Sequence, residues 1–165
     1  MSPNYQRSQG AQANLNGKIF EDMCIPLLAQ HGFAILSYKE YENIPQLPKR
    51  YVVQQMPYTT IYGHKGRTEM VIVDQTRGRV IRVENKYQQA AGSVDEKYPY
   101  MFLNAVYAYE EPEIIFVIDG GGYKPGAKQW LLDRVNENWL DYQSMGKSIQ
   151  VMTISEFINY INRNF

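Results

Sequence analysis

Apolar positions recur along the chain in helical, alternating and continuous patterns, and each predicts a different element. Helical spacing marks the first: Ile19, Phe20, Met23, Ile25, Leu27 and Leu28 are spaced for a buried face. A helix is expected from a cap at Asn14 or Asn16 to about Gln30, with Pro26 kinking it or ending it early. The polar residues before it, Met1 to about Ala13, read as a mobile arm or a partner-binding tail. Gly32 then introduces a short strand, Phe33-Ala34-Ile35-Leu36. Tyr38 to Lys49 is charged, contains Pro45 and Pro48, and reads as a loop. Tyr51 to Gly63 is aromatic and β-branched around Pro57, which suggests extended structure at a sheet edge.

The centre of the chain reads as a hairpin. Thr68 to Asp74 and Arg79 to Lys86 are strand-like, and Gln75-Thr76-Arg77-Gly78 between them is a polar turn ending in Gly. Pairing about a centre between Thr76 and Arg77 sets Glu69 opposite Glu84. Such cross-strand partners have Cβ atoms roughly 4.5–5.5 Å apart. Lys86 leaves the same face as Glu84, as does Gln88 if the strand continues, while the Asn85 side chain points the other way. In this register Asp74 pairs with Arg79 beside the turn. It lies roughly 16 Å from Glu69 along the strand, so it reads as a turn residue bonding its local backbone. A one-residue slip would reverse these assignments.

The second half is punctuated clearly. Gln88 to Ser93 is a polar loop with Gly92, and Ser93 or Asp95 caps a helix from about Glu96 to Tyr109. Glu113 to Asp119 is a continuous apolar strand of the kind buried on both faces, closed by Gly120-Gly121-Gly122. A helix from Gly126 to about Tyr142, a strand Ile149 to Met152, and a final helix opened by the Thr153…Glu156 capping-box spacing complete the chain. The order predicts one domain over 14–165 behind an arm over 1–13: an α/β fold with a mixed sheet flanked by helices.

Composition narrows the function classes. The 165 residues are 44% hydrophobic and 21% charged, which fits a single globular domain with a core of useful size. Seventeen basic and seventeen acidic residues cancel. A nucleic-acid partner would therefore need a local basic patch, and Lys65, Arg67, Arg77, Arg79 and Arg82 form the densest basic region. Fourteen tyrosines either fill a core or stack on bases. The single cysteine, Cys24, excludes an intramolecular disulfide and suits a reducing cytoplasm. Two histidines without a Cys/His cluster argue against zinc. No apolar run approaches a membrane span, and the polar start does not resemble a signal peptide.

Two carboxylates and a lysine at one end of a hairpin suit Mg²⁺ or Mn²⁺, hard ions held by a few protein oxygens plus phosphate and water. Glu69 and Glu84 would ligate, the Asn85 main-chain carbonyl would add a third oxygen, Lys86 would position or deprotonate a nucleophile, and Gln88 would orient water or phosphate. Glu-x-Lys alone is a weak motif; the acid in register is what strengthens it. The segment Gly66-Arg67-Thr68-Glu69 with Glu84-Asn85-Lys86-Tyr87-Gln88 resembles the core of the PD-(D/E)XK nuclease superfamily. Gly92 to Tyr100, Asp119 to Gly122 and Gly126 to Leu131 resemble a subgroup of restriction-like and phage nucleases. The resemblance implies a restriction-endonuclease-like α-β-β-β-α-β core, with Glu84 and Lys86 as the (D/E)XK pair. It makes Glu69 the preceding-strand acid, a departure from the usual Asp, and Glu21 a helical acid that some members use as an extra metal ligand. It further implies a metal-dependent DNA endonuclease of restriction, homing or structure-specific type; a compact domain with no separate reading module favours a homodimer or higher oligomer, whose two sites would serve a double-strand cut. Two alternatives stay open: an inactive nuclease fold that binds nucleic acid or protein, and a nuclease acting on RNA.

Overall fold

The computed structural model describes residues 9–88 and 95–165, with side chains of the first helix described from residue 17. Residues 1–8 of the expected arm, and the expected Gly92 loop and Ser93 cap, lie outside the described residues. Helix α1 (Gln9–Gln30) starts ahead of both expected caps and continues through Pro26. Phe20, Cys24 and Leu28, one turn apart, are fully buried. Their burial against the sheet outweighs the backbone bond lost at the exposed Pro26.

Strand β1 (Ala34–Ser37) is followed by a helix that the loop reading missed, α2 (Tyr38–Asn43). Its signal is a capping box: the Ser37 hydroxyl accepts the Glu40 N–H at 3.2 Å, and the Glu40 carboxylate accepts the Ser37 N–H at 2.7 Å. The extended stretch after it divides in two. Strand β2 (Arg50–Gln54) is interior to the sheet, not at its edge, because Tyr51, Val52 and Val53 are all buried between neighbours. Strands β3 (Pro57–Thr59) and β4 (Lys65–Arg67) form a separate antiparallel ribbon, with Pro57 at the first residue of β3, where its missing donor costs least.

Strands β5 (Met70–Asp74) and β6 (Arg79–Tyr87) make the central hairpin. A 3-10 turn, Asp95–Lys97, leads into α3 (Tyr98–Tyr107), and β7 (Glu113–Asp119) follows as expected. Helix α4 (Pro125–Asn136) is shorter than its apolar spacing suggests. Asn138, Leu140 and Asp141 take positive φ, so Trp139–Met145 becomes a kinked 3-10 stretch. Strand β8 (Ser148–Met152) and α5 (Ile154–Asn164) close the chain, the latter on the predicted Thr153–Glu156 capping box.

The main sheet has the order β1-β2-β5-β6-β7-β8. Parallel pairs at both ends, β1 with β2 and β6 with β7 and β8, flank antiparallel pairs at β5. Alternation along the strands gives the sheet two cores. Met70, Ile72, Ile81, Val83, Ile115 and Val117 face α1 and α5, whereas Ile114, Phe116 and Ile118 face α3 and α4. Burial pushes the Cys24 thiol up to about 12, which makes it an inert packing group. Among the described residues no helix is long and apolar enough to cross a membrane.

Candidate active site

The two central strands have unequal lengths, and the site occupies the difference. The β5–β6 ladder has the expected register, with Met70 opposite Val83 and Asp74 opposite Arg79. It stops at Val83, while Glu84 to Tyr87 run on beside β7 alone. One further step of the register brings Glu69, in the bend before β5, to the level of Glu84. The Glu69 carbonyl accepts the Gln55 N–H at 2.9 Å, tying this bend to the end of β2. Glu84 lies on the α3/α4 face, level with Phe116. Asn85 lies on the α1/α5 face, level with Val117, as the alternation predicted. Its side-chain oxygen is buried without a hydrogen-bond partner. Asp74 is the turn residue expected: it accepts the Thr76 N–H at 3.0 Å and pairs with Arg50 at 3.2 Å.

Charge is concentrated where β6 runs past the end of β5. The Lys86 ammonium donates to the Glu84 carboxylate in a direct ion pair. Burial works against the Lys86 charge, but Glu84, by charge and hydrogen bond, and then Glu69 outweigh it and hold the ammonium above its ordinary pKa. Glu69 moves the other way. Burial, and then the Glu84 charge, push its carboxyl up to about 7; Glu21 adds to the rise, while Lys86 and a 3.3 Å hydrogen bond from the Gln55 amide oppose it. Glu69, Glu84 and Lys86 therefore share one neighbourhood, and Glu21 lies within electrostatic reach of Glu69. Among the described residues no three His, Cys, Asp or Glu side chains converge to hold an ion, so Glu21 is an electrostatic neighbour of Glu69 and not part of a preformed cage. The oxygens suited to a divalent cation are the Glu69 and Glu84 carboxylates, with the Asn85 main chain between Glu84 and Lys86.

Two groups fix this geometry, Gln55, which the sequence did not single out, and Arg82, which it marked only as part of the basic region. Gln55 holds the Glu69 bend from a left-handed backbone at φ 53°, a conformation that no sequence pattern marked. Arg82, one same-face step before Glu84, forms a buried fork with Glu111 at 2.5 and 2.8 Å. The same guanidinium donates to the Thr68 hydroxyl at 2.9 Å and the Met56 carbonyl at 3.2 Å, clamping the chain just before Glu69. Tyr58 and Tyr109 meet edge to face at 4.8 Å under that guanidinium, and the Glu84 charge reaches both hydroxyls. Gly66 admits the Tyr58 ring, which a Cβ would meet at 2.6 Å.

Gln88 stands just beyond the end of β6. Its N–H donates to the Asp119 carbonyl, its carbonyl accepts the Gly122 N–H, and its amide donates to the Gly122 carbonyl at 3.3 Å. Its described bonds thus go to the glycine loop, which packs so closely that a Cβ on Gly120 would lie 2.4 Å from the Gln88 carbonyl oxygen. The basic region divides as well. Arg79 pairs with Glu113 and Arg82 with Glu111, while Lys65, Arg67 and, at the far turn, Arg77 stay exposed. Tyr58, Lys65, Arg67 and Arg82 line a groove of about 810 Å³ together with Glu42 and Glu110. His64 is exposed and its ring approaches that of Tyr62.

Comparison with known proteins gives one family. The description PD-(D/E)XK nuclease superfamily domain matches residues 12–165. No curated protein and no solved structure matches the chain.

Proposed function

The chain belongs to the PD-(D/E)XK nuclease superfamily, and from that premise we propose that it is a divalent-metal-dependent DNA endonuclease. One observation carries the reading: the Glu84–Lys86 ion pair sits where β6 runs past the end of β5, with Glu69 close enough for Glu84 to raise its pKa. Glu69, Glu84 and the Asn85 carbonyl would hold Mg²⁺ or Mn²⁺. The residues fit such an ion, because both side chains offer hard oxygens and their mutual repulsion is what a cation relieves. When bound, the ion polarises the scissile phosphate and acidifies a water.

The chain's own groups do the rest. Glu84 and Glu69 hold the Lys86 ammonium above its ordinary pKa in the metal-free protein, and as a cation its part is to orient the nucleophile and offset charge on the phosphate. Arg82 and Gln55 fix Glu69 against Glu84, and Gln88 acts through the glycine loop it secures. Two copies, one per strand, would serve double-strand cutting, so a homodimer belongs to the proposal. The single buried Cys24 suits a reducing compartment such as the cytoplasm.

Cleavage of plasmid, linear and branched DNA with Mg²⁺ or Mn²⁺ tests the reading. Lys86→Ala and Glu84→Gln are expected to lower the rate by about 10²-fold or more, the scale of a positioned acid–base or charge-stabilising group. Equal cutting by wild type and both variants would remove the assignment. Metal binding without cutting of any DNA or RNA would leave a nuclease fold that only binds.

A further inference from the structure

Tyr62 is the most exposed large hydrophobic residue described, at 68%. It sits on the turn between β3 and β4, which buries no apolar core of its own, so an aromatic ring there needs an explanation. The ring lies nearly parallel to that of Tyr100, at the start of α3, with centroids 5.0 Å apart and planes 24° apart. The His64 ring approaches edge-on at 6.4 Å. This stack is held in place from below. The buried Asn104 accepts the Ile61 N–H at 2.9 Å through its side-chain oxygen and donates its amide to the Tyr100 carbonyl at 2.9 Å. One side chain thus ties the turn to the helix and sets the two rings in register.

The stack is linked to the proposed catalytic groups through Tyr58, whose ring packs under the Arg82 guanidinium, one same-face step before Glu84. The Tyr58 hydroxyl feels the charges of Glu84 and Lys86 and also lies within electrostatic reach of Tyr100. Tyr58 is on β3, so the same ribbon that packs under Arg82 carries Tyr62 at its tip. Lys65 and Arg67 are exposed on β4, the returning strand, where a phosphate backbone would need cations. A fixed aromatic face, flanking cations and an adjacent hydrolytic centre together select the occupant.

We propose that the Tyr62–Tyr100 ledge is a substrate subsite that stacks an unpaired nucleobase of the DNA being cut. Bases inside a duplex already stack on each other and offer no free π-face, whereas an unpaired base does. The proposal rests on the nuclease reading and deepens it: the substrate carries unpaired nucleotides close to the scissile phosphate, as at a gap, flap or branch. Stacking needs the ring and not its hydroxyl, so Phe should replace Tyr62 and Ala should not.

The test uses the full chain without metal, so that binding is read apart from cutting. The DNA probes are one duplex with a short single-stranded gap carrying 2-aminopurine and one continuous duplex with 2-aminopurine at the same position. Wild type and Tyr62→Phe are expected to quench the gap fluorophore and to bind gapped DNA about 5- to 100-fold more tightly than Tyr62→Ala, the range of one base–aromatic stack. All three should bind continuous duplex alike; Tyr62→Phe should melt with wild type and Tyr62→Ala at most a few degrees lower, because it loses the ring stack on Tyr100. Separate cleavage assays with Mg²⁺ report the nuclease reading. If wild type cuts DNA but Tyr62→Ala matches it on gapped DNA in both quenching and affinity, the ledge falls and the nuclease reading stands. If wild type neither binds nor cuts any DNA, both fall together.

Discussion

At the residue scale, Glu69 is where folding works against ionisation. Its carboxyl moves from 4.5 to about 7 on folding, chiefly through burial and then through Glu84. Between those values the folded chain binds more protons than the unfolded one, so this group makes stability fall as pH rises and contributes no further change above about 7. The penalty at pH 8 is on the order of 3 kcal/mol. In chelator, Glu69→Gln should therefore match wild type near pH 4.5, be more stable at pH 8, and show the divergence between those two values. Urea titrations across that range check it, and parallel curves would remove the burial argument. Lys86 supplies the complementary prediction. Because its charge lowers the Glu69 pKa, Lys86→Met should raise it further, which carboxyl NMR titration would read directly. A pKa that falls or stays fixed would place Lys86 outside the neighbourhood of Glu69.

At the scale of elements, the site depends on groups that join strands to each other. Arg82 on β6 holds Glu111 before β7 and the Met56–Thr68 chain on either side of the ribbon. Arg82→Met leaves Glu111 buried and unpaired, and should cost about 3–5 kcal/mol; the double change Arg82→Met with Glu111→Leu should recover part of that loss. Chemical denaturation of the four proteins gives the coupling. Gly120→Ala should destabilise by about 1–3 kcal/mol or more, because φ is +103° and the new Cβ meets the Gln88 backbone; a neutral result would show that the loop relaxes. These dependencies also mark how far the sequence could be read. The β5–β6 register was legible because a polar turn and two alternating strands fix the pairing, and with it the level of Glu69, Glu84 and Lys86. The continuous apolar run of β7 and the Thr153–Glu156 box were legible for similarly local reasons. The Arg82–Glu111 fork, the Asn104 tie and the Gln55 contact were not, since each joins residues distant in sequence or rests on an unusual φ. The short helix α2 was readable from Ser37 and Glu40, but the charges and prolines around it outweighed that signal.

For the whole molecule, a bound divalent cation would act as a fastener across the middle of the sheet. The Glu69 bend is tied to β2 and precedes β5, while Glu84 lies on β6 where β5 has ended, so the ion would join elements that no ladder connects at that level. It would also remove the repulsion that lifts Glu69, so its binding free energy adds to folding stability. At a concentration 100 times its dissociation constant an ion contributes about 2.7 kcal/mol. For a chain of this size that is a rise of roughly 5–10 °C in melting temperature. The rise should be larger at pH 8 than at pH 6, because below about 7 the ion competes with the Glu69 proton. Glu69→Gln and Glu84→Gln should each lose most of it, whereas Asp74→Asn, at the far end of the hairpin, should keep it even if the protein starts from a lower baseline. Thermal melts with Mn²⁺, Mg²⁺ and chelator at the two pH values decide the matter. A rise shared equally by all three variants would mean that the ion binds elsewhere, and the pairing of Glu69 with Glu84 would then be structural only.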